Sequence, residues 1–101
     1  MVARLRDRYR PLRIILFGSR ASGRPHRGSD VDLLIIKSTR KSPIARWEEV
    51  RSLLSPVWKG LYASPSPIVV TPSELEARLR MGDPFLTEIV ERGRVLYASK
   101  G

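Results

Sequence analysis

Two short apolar runs, Arg13-Ile-Ile-Leu-Phe17 and Leu33-Leu-Ile-Ile36, stand on either side of a polar segment with glycines at 18, 23 and 28 that ends in Asp30-Val-Asp32. Runs of β-branched and aliphatic residues of this length, stopped by glycine and free of clear alternation, are the signature of strands buried on both faces. The second strand is expected over 30–36, alternating weakly at first and fully apolar from Leu33. Strands of that kind need covering layers on both sides, which excludes an all-α bundle.

The rest of the chain supplies the cover. Val2, Leu5 and Tyr9 recur at helical spacing over 2–9, and Pro11 ends that helix. Ser42-Pro43 reads as an N-cap with proline at the first helical position, and Ile44, Trp47, Val50, Leu54 and Trp58 follow on one face, with the helix running to about Ser55. Trp47 then belongs to the core and Trp58 to its partly exposed margin. Ile68-Val-Val70 is a short third strand. Thr71-Pro-Ser-Glu74 has the form of a capping box and opens a helix ending near Gly82, while Asp83-Pro84 opens another that carries Phe85, Leu86, Ile89 and Val90 to a C-cap at Gly93. Val95-Leu-Tyr97 closes as a small strand. The expected class is α/β (α+β): a small mixed sheet with helices packed on it.

At 101 residues the chain has room for one domain, expected to span 1–101. No apolar run approaches the roughly 18–20 residues of a membrane span, and the first ten residues have no signal-peptide core, so a soluble cytoplasmic protein without membrane contact is expected. The absence of cysteine excludes disulfides, a thiolate nucleophile and a cysteine-type zinc site. Asn and Gln are also absent and Arg outnumbers Lys by 15 to 4, a pattern that fits a thermophile. The net charge is +9, and its excess lies entirely in residues 1–60, which carry 14 basic and 5 acidic side chains against 5 of each in 61–101. A one-sided field of this kind attracts polyanions, nucleic acid included. The arginines at 4, 6, 8 and 10 read as a solvated helix face or as a docking surface for nucleic acid or a partner.

The chemistry concentrates in residues 16–36. Asp30 and Asp32 are two apart on a strand, so both carboxylates point to one face and are placed to bind a common hard cation. Mg²⁺ suits such a pair, since it is held by a few carboxylates and completed by substrate phosphates and water. Gly18-Ser19 ends the first strand where a following turn into helix presents backbone N–H groups to an anion. Glycine permits close approach of a phosphate, Ser19 adds a hydroxyl, and Arg20, Arg24 and Arg27 crowd the same loop. Gly18, Ser19, Arg20 and Ser29 are the expected nucleotide- and phosphate-binding residues, and Asp30 and Asp32 the catalytic and metal-binding pair. His26, between Pro25 and Arg27, reads as an exposed loop residue. Metal carboxylates joined to a phosphate cradle point to phosphoryl or nucleotidyl transfer.

These residues resemble the minimal nucleotidyltransferases of the DNA polymerase beta superfamily, whose hallmark is an apolar strand, Gly-Ser, a spacer of about ten residues and Asp-x-Asp on the next strand. Gly18-Ser-Arg-Ala-Ser-Gly23 and Asp30-Val-Asp32 meet that pattern, and Phe85-Leu-x-Glu-Ile89 with Gly93-x-x-Leu-Tyr97 resembles the end of the same small domain. The resemblance implies a polymerase-beta-like nucleotidyltransferase fold that binds ATP or another nucleoside triphosphate with two Mg²⁺ ions and transfers a nucleoside monophosphate to a protein or RNA acceptor. It also implies the antitoxin half of a two-gene module whose partner is a helical HEPN ribonuclease. A chain this small is expected to work with such a partner or as a homo-oligomer.

One departure bears on activity. Active members usually place a third carboxylate just before Ile68-Val-Val70, near position 66, where this chain has Ser64-Pro-Ser-Pro67. That acid helps bind metal and activates the attacking hydroxyl. Either Glu48, Glu49 or Glu74 replaces it from a helix, or the chain is a catalytically degenerate, nucleotide-binding antitoxin that acts by docking to its helical partner.

Overall fold

The computed structural model describes residues 2–18, 31–58 and 65–99. In chain order these form α1 (Val2–Arg8), β1 (Arg13–Phe17), β2 (Val31–Ile36), α2 (Pro43–Trp58), β3 (Pro65–Val70), α3 (Pro72–Arg80), α4 (Pro84–Arg92) and β4 (Arg94–Ala98). The strands make one mixed sheet in the order β3-β2-β1-β4. β1 runs antiparallel to both β2 and β4, whereas β2 and β3 are parallel and therefore need the crossover that α2 supplies.

Strand parity divides the core into two layers, as the unalternating apolar runs require. Ile14, Leu33 and Ile35 face one side, where they pack with Leu5, Tyr9, Val50 and Leu54 of the α1/α2 layer. Ile15, Leu34 and Ile36 face the other and meet Leu75, Leu86 and Ile89 of α3 and α4. A bulge between Ile14 and Ile15 pairs them with Tyr97 and Val95, so the extra residue Leu96 and its neighbour Tyr97 both pack against the first layer.

β3 begins at Pro65, three residues before the expected start. Lys37 N–H donates to the Val70 carbonyl at 2.9 Å, so even-numbered residues of β3 turn toward β2. The backbone nitrogens of Pro65 and Pro67 then point away from β2, to the side of β3 that pairs with no strand among the described residues, where a missing N–H costs nothing and an added strand is discouraged. The helix caps follow the sequence closely. Ser42 Oγ accepts from Ala45 N, Thr71 and Glu74 form a reciprocal capping box, and Asp83 accepts from the N–H groups of Phe85 and Leu86. Gly93 caps α4 with an extended backbone, and its lack of a side chain serves packing instead: a Cβ there would stand 2.5 Å from Ile15 Cγ2.

α2 departs from expectation in length and in facing. It continues through Pro56 to Trp58, whose side chain lies outside the described residues. Trp47 is not core: it is 43% exposed, with the Arg51 guanidinium 4.9 Å from its ring centre, and Ile44 is 71% exposed. The inward position of the first turn belongs to Arg46, 6% exposed. Its guanidinium donates to Lys41 O at 2.7 Å, to the outward-facing Val69 O at 3.2 Å, and to both Glu74 carboxylate oxygens at 2.7 and 3.2 Å. A single cation thus joins α2, the edge of β3 and the start of α3.

The hydrogen bonds from Arg46, with that from the Thr71 backbone, hold the Glu74 carboxyl below the usual glutamate range. A lowered folded pKa contributes stability that is complete above the ordinary glutamate value and is lost as pH falls through the folded one. Glu74→Gln, which keeps a capping oxygen, should cost about 1–2 kcal/mol at pH 7, allowing for the half-exposed carboxylate. In urea titrations the gap from wild type should close below about pH 4; a gap unchanged with pH contradicts the charge-pairing role. The Tyr9 hydroxyl is buried with no hydrogen-bond partner among the described residues, and burial pushes its pKa up. Tyr9→Phe should therefore be neutral or stabilising by up to about 1 kcal/mol, and a loss of more than that in the same titration would reveal a partner for the hydroxyl.

Candidate functional site

The ends of β1 and β2 bring together the two halves of the expected site that lie among the described residues. β1 finishes at Phe17, and Gly18 follows with φ +79°, a left-handed conformation that favours glycine. Space demands glycine there as well. A Cβ on Gly18 would collide with Asp32 Oδ2 and lie 3.3 Å from Asp32 Cγ, so the Asp32 carboxylate stands directly against the Gly18 backbone. Asp32 shares the parity of Leu34 and Ile36, which places it on the α3/α4 face of the sheet. Asp30, Ser19, Arg20 and Ser29 fall outside the described residues, as do Arg24, His26 and Arg27.

Register decides what stands beside Asp32. Across β1 its partner is Phe17, and across the parallel pair its partner is Ser66. In-register neighbours share a face, so position 66 is where a carboxylate from β3 would adjoin Asp32, and it carries a neutral hydroxyl. The helix glutamates weighed as replacements are elsewhere. Glu74 follows the far end of β3 and is engaged by Arg46; Glu49 pairs with Lys41 at 2.6 Å; and Glu48 belongs to α2, in the opposite layer. Among the described residues no three metal-ligating side chains cluster. Of the expected metal pair only Asp32 lies among the described residues, and a single carboxylate is compatible with Mg²⁺, which takes one or two protein carboxylates and completes its shell with phosphates and water.

A groove of about 510 Å³ opens beside this strand end, between β1 and the outer face of α4. Phe17, Phe85 and Ile89 form apolar walls, Gly18 closes the end next to Asp32, and Glu88 and Arg92 edge it. Phe17 and Phe85 meet edge to face with centroids 5.7 Å apart. Phe85 is nevertheless 51% exposed, because Leu86 and Ile89 take the buried positions of α4. Sequence reasoning treated Phe85 as a helix packing residue and gave Glu88 and Arg92 no role. The available signal was an aromatic residue one step off the Leu86–Ile89 stripe, beside the cap at Asp83.

Comparison with known proteins places this geometry. The model of the nucleotidyltransferase domain matches residues 1–97. The chain belongs to the nucleotidyltransferase domain family. The protein adenylyltransferase MntA of Shewanella oneidensis is 42% identical over 52 residues, which are 50% of this chain and 37% of that relative. The matched part is thus little more than a third of the relative's length. Among solved structures, a toxin-antitoxin crystal structure with AMP-PNP superposes with a TM-score of 0.62 at 28% identity, covering 98% of this chain and 71% of that one. A mutant of the toxin-antitoxin MntA-HpeT gives a TM-score of 0.59 at 27% identity, covering 98% and 70%. The mixed sheet with helices on its faces is therefore the nucleotidyltransferase fold, as the strand, Gly-Ser and Asp-x-Asp pattern implied. No helix among the described residues is long and apolar enough to cross a membrane.

Within a nucleotidyltransferase domain, the contact between Gly18 and Asp32 leaves no room for a side chain. Gly18→Ala should cost about 1–2 kcal/mol for the left-handed backbone alone and push the Asp32 carboxylate aside. Calorimetry should then show Mg²⁺-dependent ATP binding weakened by roughly ten-fold or more, the equivalent of about 1.4 kcal/mol. Unchanged binding in a folded variant would place the phosphate site somewhere other than this strand end.

Proposed function

We propose that this domain binds a nucleoside triphosphate, ATP in the first instance, with Mg²⁺ and transfers its adenylyl group to a hydroxyl of a helical HEPN-type partner, as the antitoxin of a two-gene module. The observation that carries this reading is the Asp32 carboxylate standing against the left-handed Gly18 at the paired ends of β1 and β2. The adenylyltransferase relative and the toxin-antitoxin structures, one of them with AMP-PNP, support the nucleotide and the kind of partner.

Gly18 lets a phosphate approach the backbone, and Ser19, Arg20 and Ser29 supply donors to its oxygens. Asp30 and Asp32 would hold Mg²⁺, which would supply positive charge to offset that of the reacting phosphates. The acceptor oxygen forms a bond to the α-phosphorus, the bond from that phosphorus to the bridging oxygen of pyrophosphate breaks, and the acceptor's hydroxyl proton departs. In this chain the β3 neighbour of Asp32 is Ser66, so no carboxylate of β3 takes that proton and it passes to water. Slow transfer follows, and the same observation favours a second reading in which the domain neutralises its partner by docking, with nucleotide bound but little turnover.

Incubation with α-³²P-ATP, Mg²⁺ and the product of the adjacent gene separates the two. Label on the partner that disappears in Asp32→Ala supports transfer, and Ser66→Asp should raise the single-turnover rate by on the order of 10²-fold. Mg²⁺-dependent ATP binding without label on protein or RNA, in wild type and Ser66→Asp alike, favours docking alone.

A further inference from the structure

We propose that the end of the domain opposite Gly18 and Asp32 binds the phosphate backbone of a nucleic-acid duplex. Cations from separate elements gather there. Arg8 closes α1 and Arg10 follows it, while Lys37, the residue after β2, donates from Nζ to Tyr9 O at 2.6 Å and so belongs to the same turn. Arg13 starts β1 across from Ile36, and Arg40 stands between β2 and α2. Arg8, Arg10, Arg13 and Arg40 are exposed, and none of their side chains makes a hydrogen bond or ion pair among the described residues. The acids that share this end are already engaged: Arg6 holds Asp7 at 2.9 Å, Lys41 holds Glu49 at 2.6 Å, and Arg46 holds Glu74 at 2.7 Å. Outside the described residues the chain has no acidic side chain except Asp30, one residue before β2 begins, so those segments bring nothing to offset the charge at this end.

Arg10 is the most telling of these residues. Its φ of +56° is left-handed, the one such non-glycine residue among those described, and its N–H closes the end of α1 on Leu5 O at 3.0 Å. Helices commonly end in this conformation on glycine, because a Cβ is disfavoured there. An arginine at a backbone position that favours glycine, with a side chain that binds no other part of the protein, is not explained by folding. The chemistry of the patch then selects its ligand. Arginine predominates, and the planar guanidinium fork matches phosphate. No residue of 8–13 or 37–41 is a large exposed hydrophobic, of the kind that a protein interface or a membrane surface uses. Tyr9, the aromatic residue of these stretches, is buried and offers no face for stacking an unpaired base. What fits is a regular polyanion contacted through its backbone: duplex DNA or RNA, held without sequence preference.

Fluorescence anisotropy with labelled DNA and RNA duplexes of about 20 base pairs, in salt from about 50 to 200 mM, should show saturable binding to one or both, with log K falling on log salt at a slope of about −4. Arg10→Gly/Arg13→Gln/Arg40→Gln should reduce that slope by about 3 and weaken binding by ten-fold or more. Arg24→Gln/Arg27→Gln/Arg80→Gln removes the same charge from elsewhere in the chain, the loop after Gly18 included, and should leave the slope nearly unchanged. Arg10→Gly alone should weaken duplex binding several-fold while the thermal midpoint stays level or rises. Binding confined to DNA or to RNA supports the inference and identifies the source of the phosphates. No saturable binding to either duplex overturns it. An equal or larger loss of slope in the second triple variant also overturns it, since the charge then acts from another site. Competition by polyglutamate as strong as that by unlabelled duplex shows an acidic protein ligand instead, and a lowered midpoint for Arg10→Gly shows that the arginine serves the fold. None of these variants alters Asp32 or Gly18, so the outcome is separate from that of the nucleotide-transfer test.

Discussion

Burial of β1 and β2 on both faces governs this structure. Ile14, Ile15 and the run Leu33–Ile36 are all within a few per cent of complete burial, between a layer of α1 and α2 and a layer of α3 and α4. A carboxylate in the middle of such a strand would be stripped of water without compensation. Charge enters β2 only at its rim, at Asp32, where the strand emerges beside Gly18. The polar site and the apolar core are therefore consequences of one another: the core sets the strand's length, and the strand's end sets where chemistry can begin.

The same sandwich determines the neighbours of that carboxylate. An antiparallel partner on one side and a parallel partner on the other place Phe17 and Ser66 in line with Asp32, and α4 above them turns Phe85 toward Phe17. An aromatic groove and a hydroxyl where a third acid would stand thus come from different elements meeting at one strand end. Membership of the nucleotidyltransferase domain family accounts for the scaffold on which Ser66 and the groove sit.

Arg46 shows a second device of the fold. Among the described residues only one side of β3 pairs, so the Val69 carbonyl faces outward, and a guanidinium buried at the start of α2 satisfies it while binding Glu74. An apolar residue there would leave the carbonyl unpaired. The prolines at 65 and 67 solve the matching problem for N–H groups by removing them. Edge protection thus uses both a cation and two imino acids.

Local rules made much of this legible in the sequence: the unalternating runs identified β1 and β2, the caps at Ser42, Thr71 and Asp83 located three helices, and Gly18 with Asp32 marked a candidate site because a strand-ending glycine and a rim carboxylate are features of a few neighbouring residues. Facing was harder wherever a charged side chain took a buried place. Hydrophobic spacing assigned Trp47 to the core, yet Arg46 turns inward because its partners, Val69 O and Glu74, come from β3 and α3. The early start of β3 was hidden by prolines that only an edge position tolerates. What the sequence by itself determined is the set of elements, their order and the residues at the strand ends, since period, caps and turn chemistry act over a few bonds. Tertiary structure alone decided that Ser66 lies beside Asp32 and that Phe17 and Phe85 share a groove, because strand register and helix docking join residues far apart in the chain through contacts that no local pattern encodes.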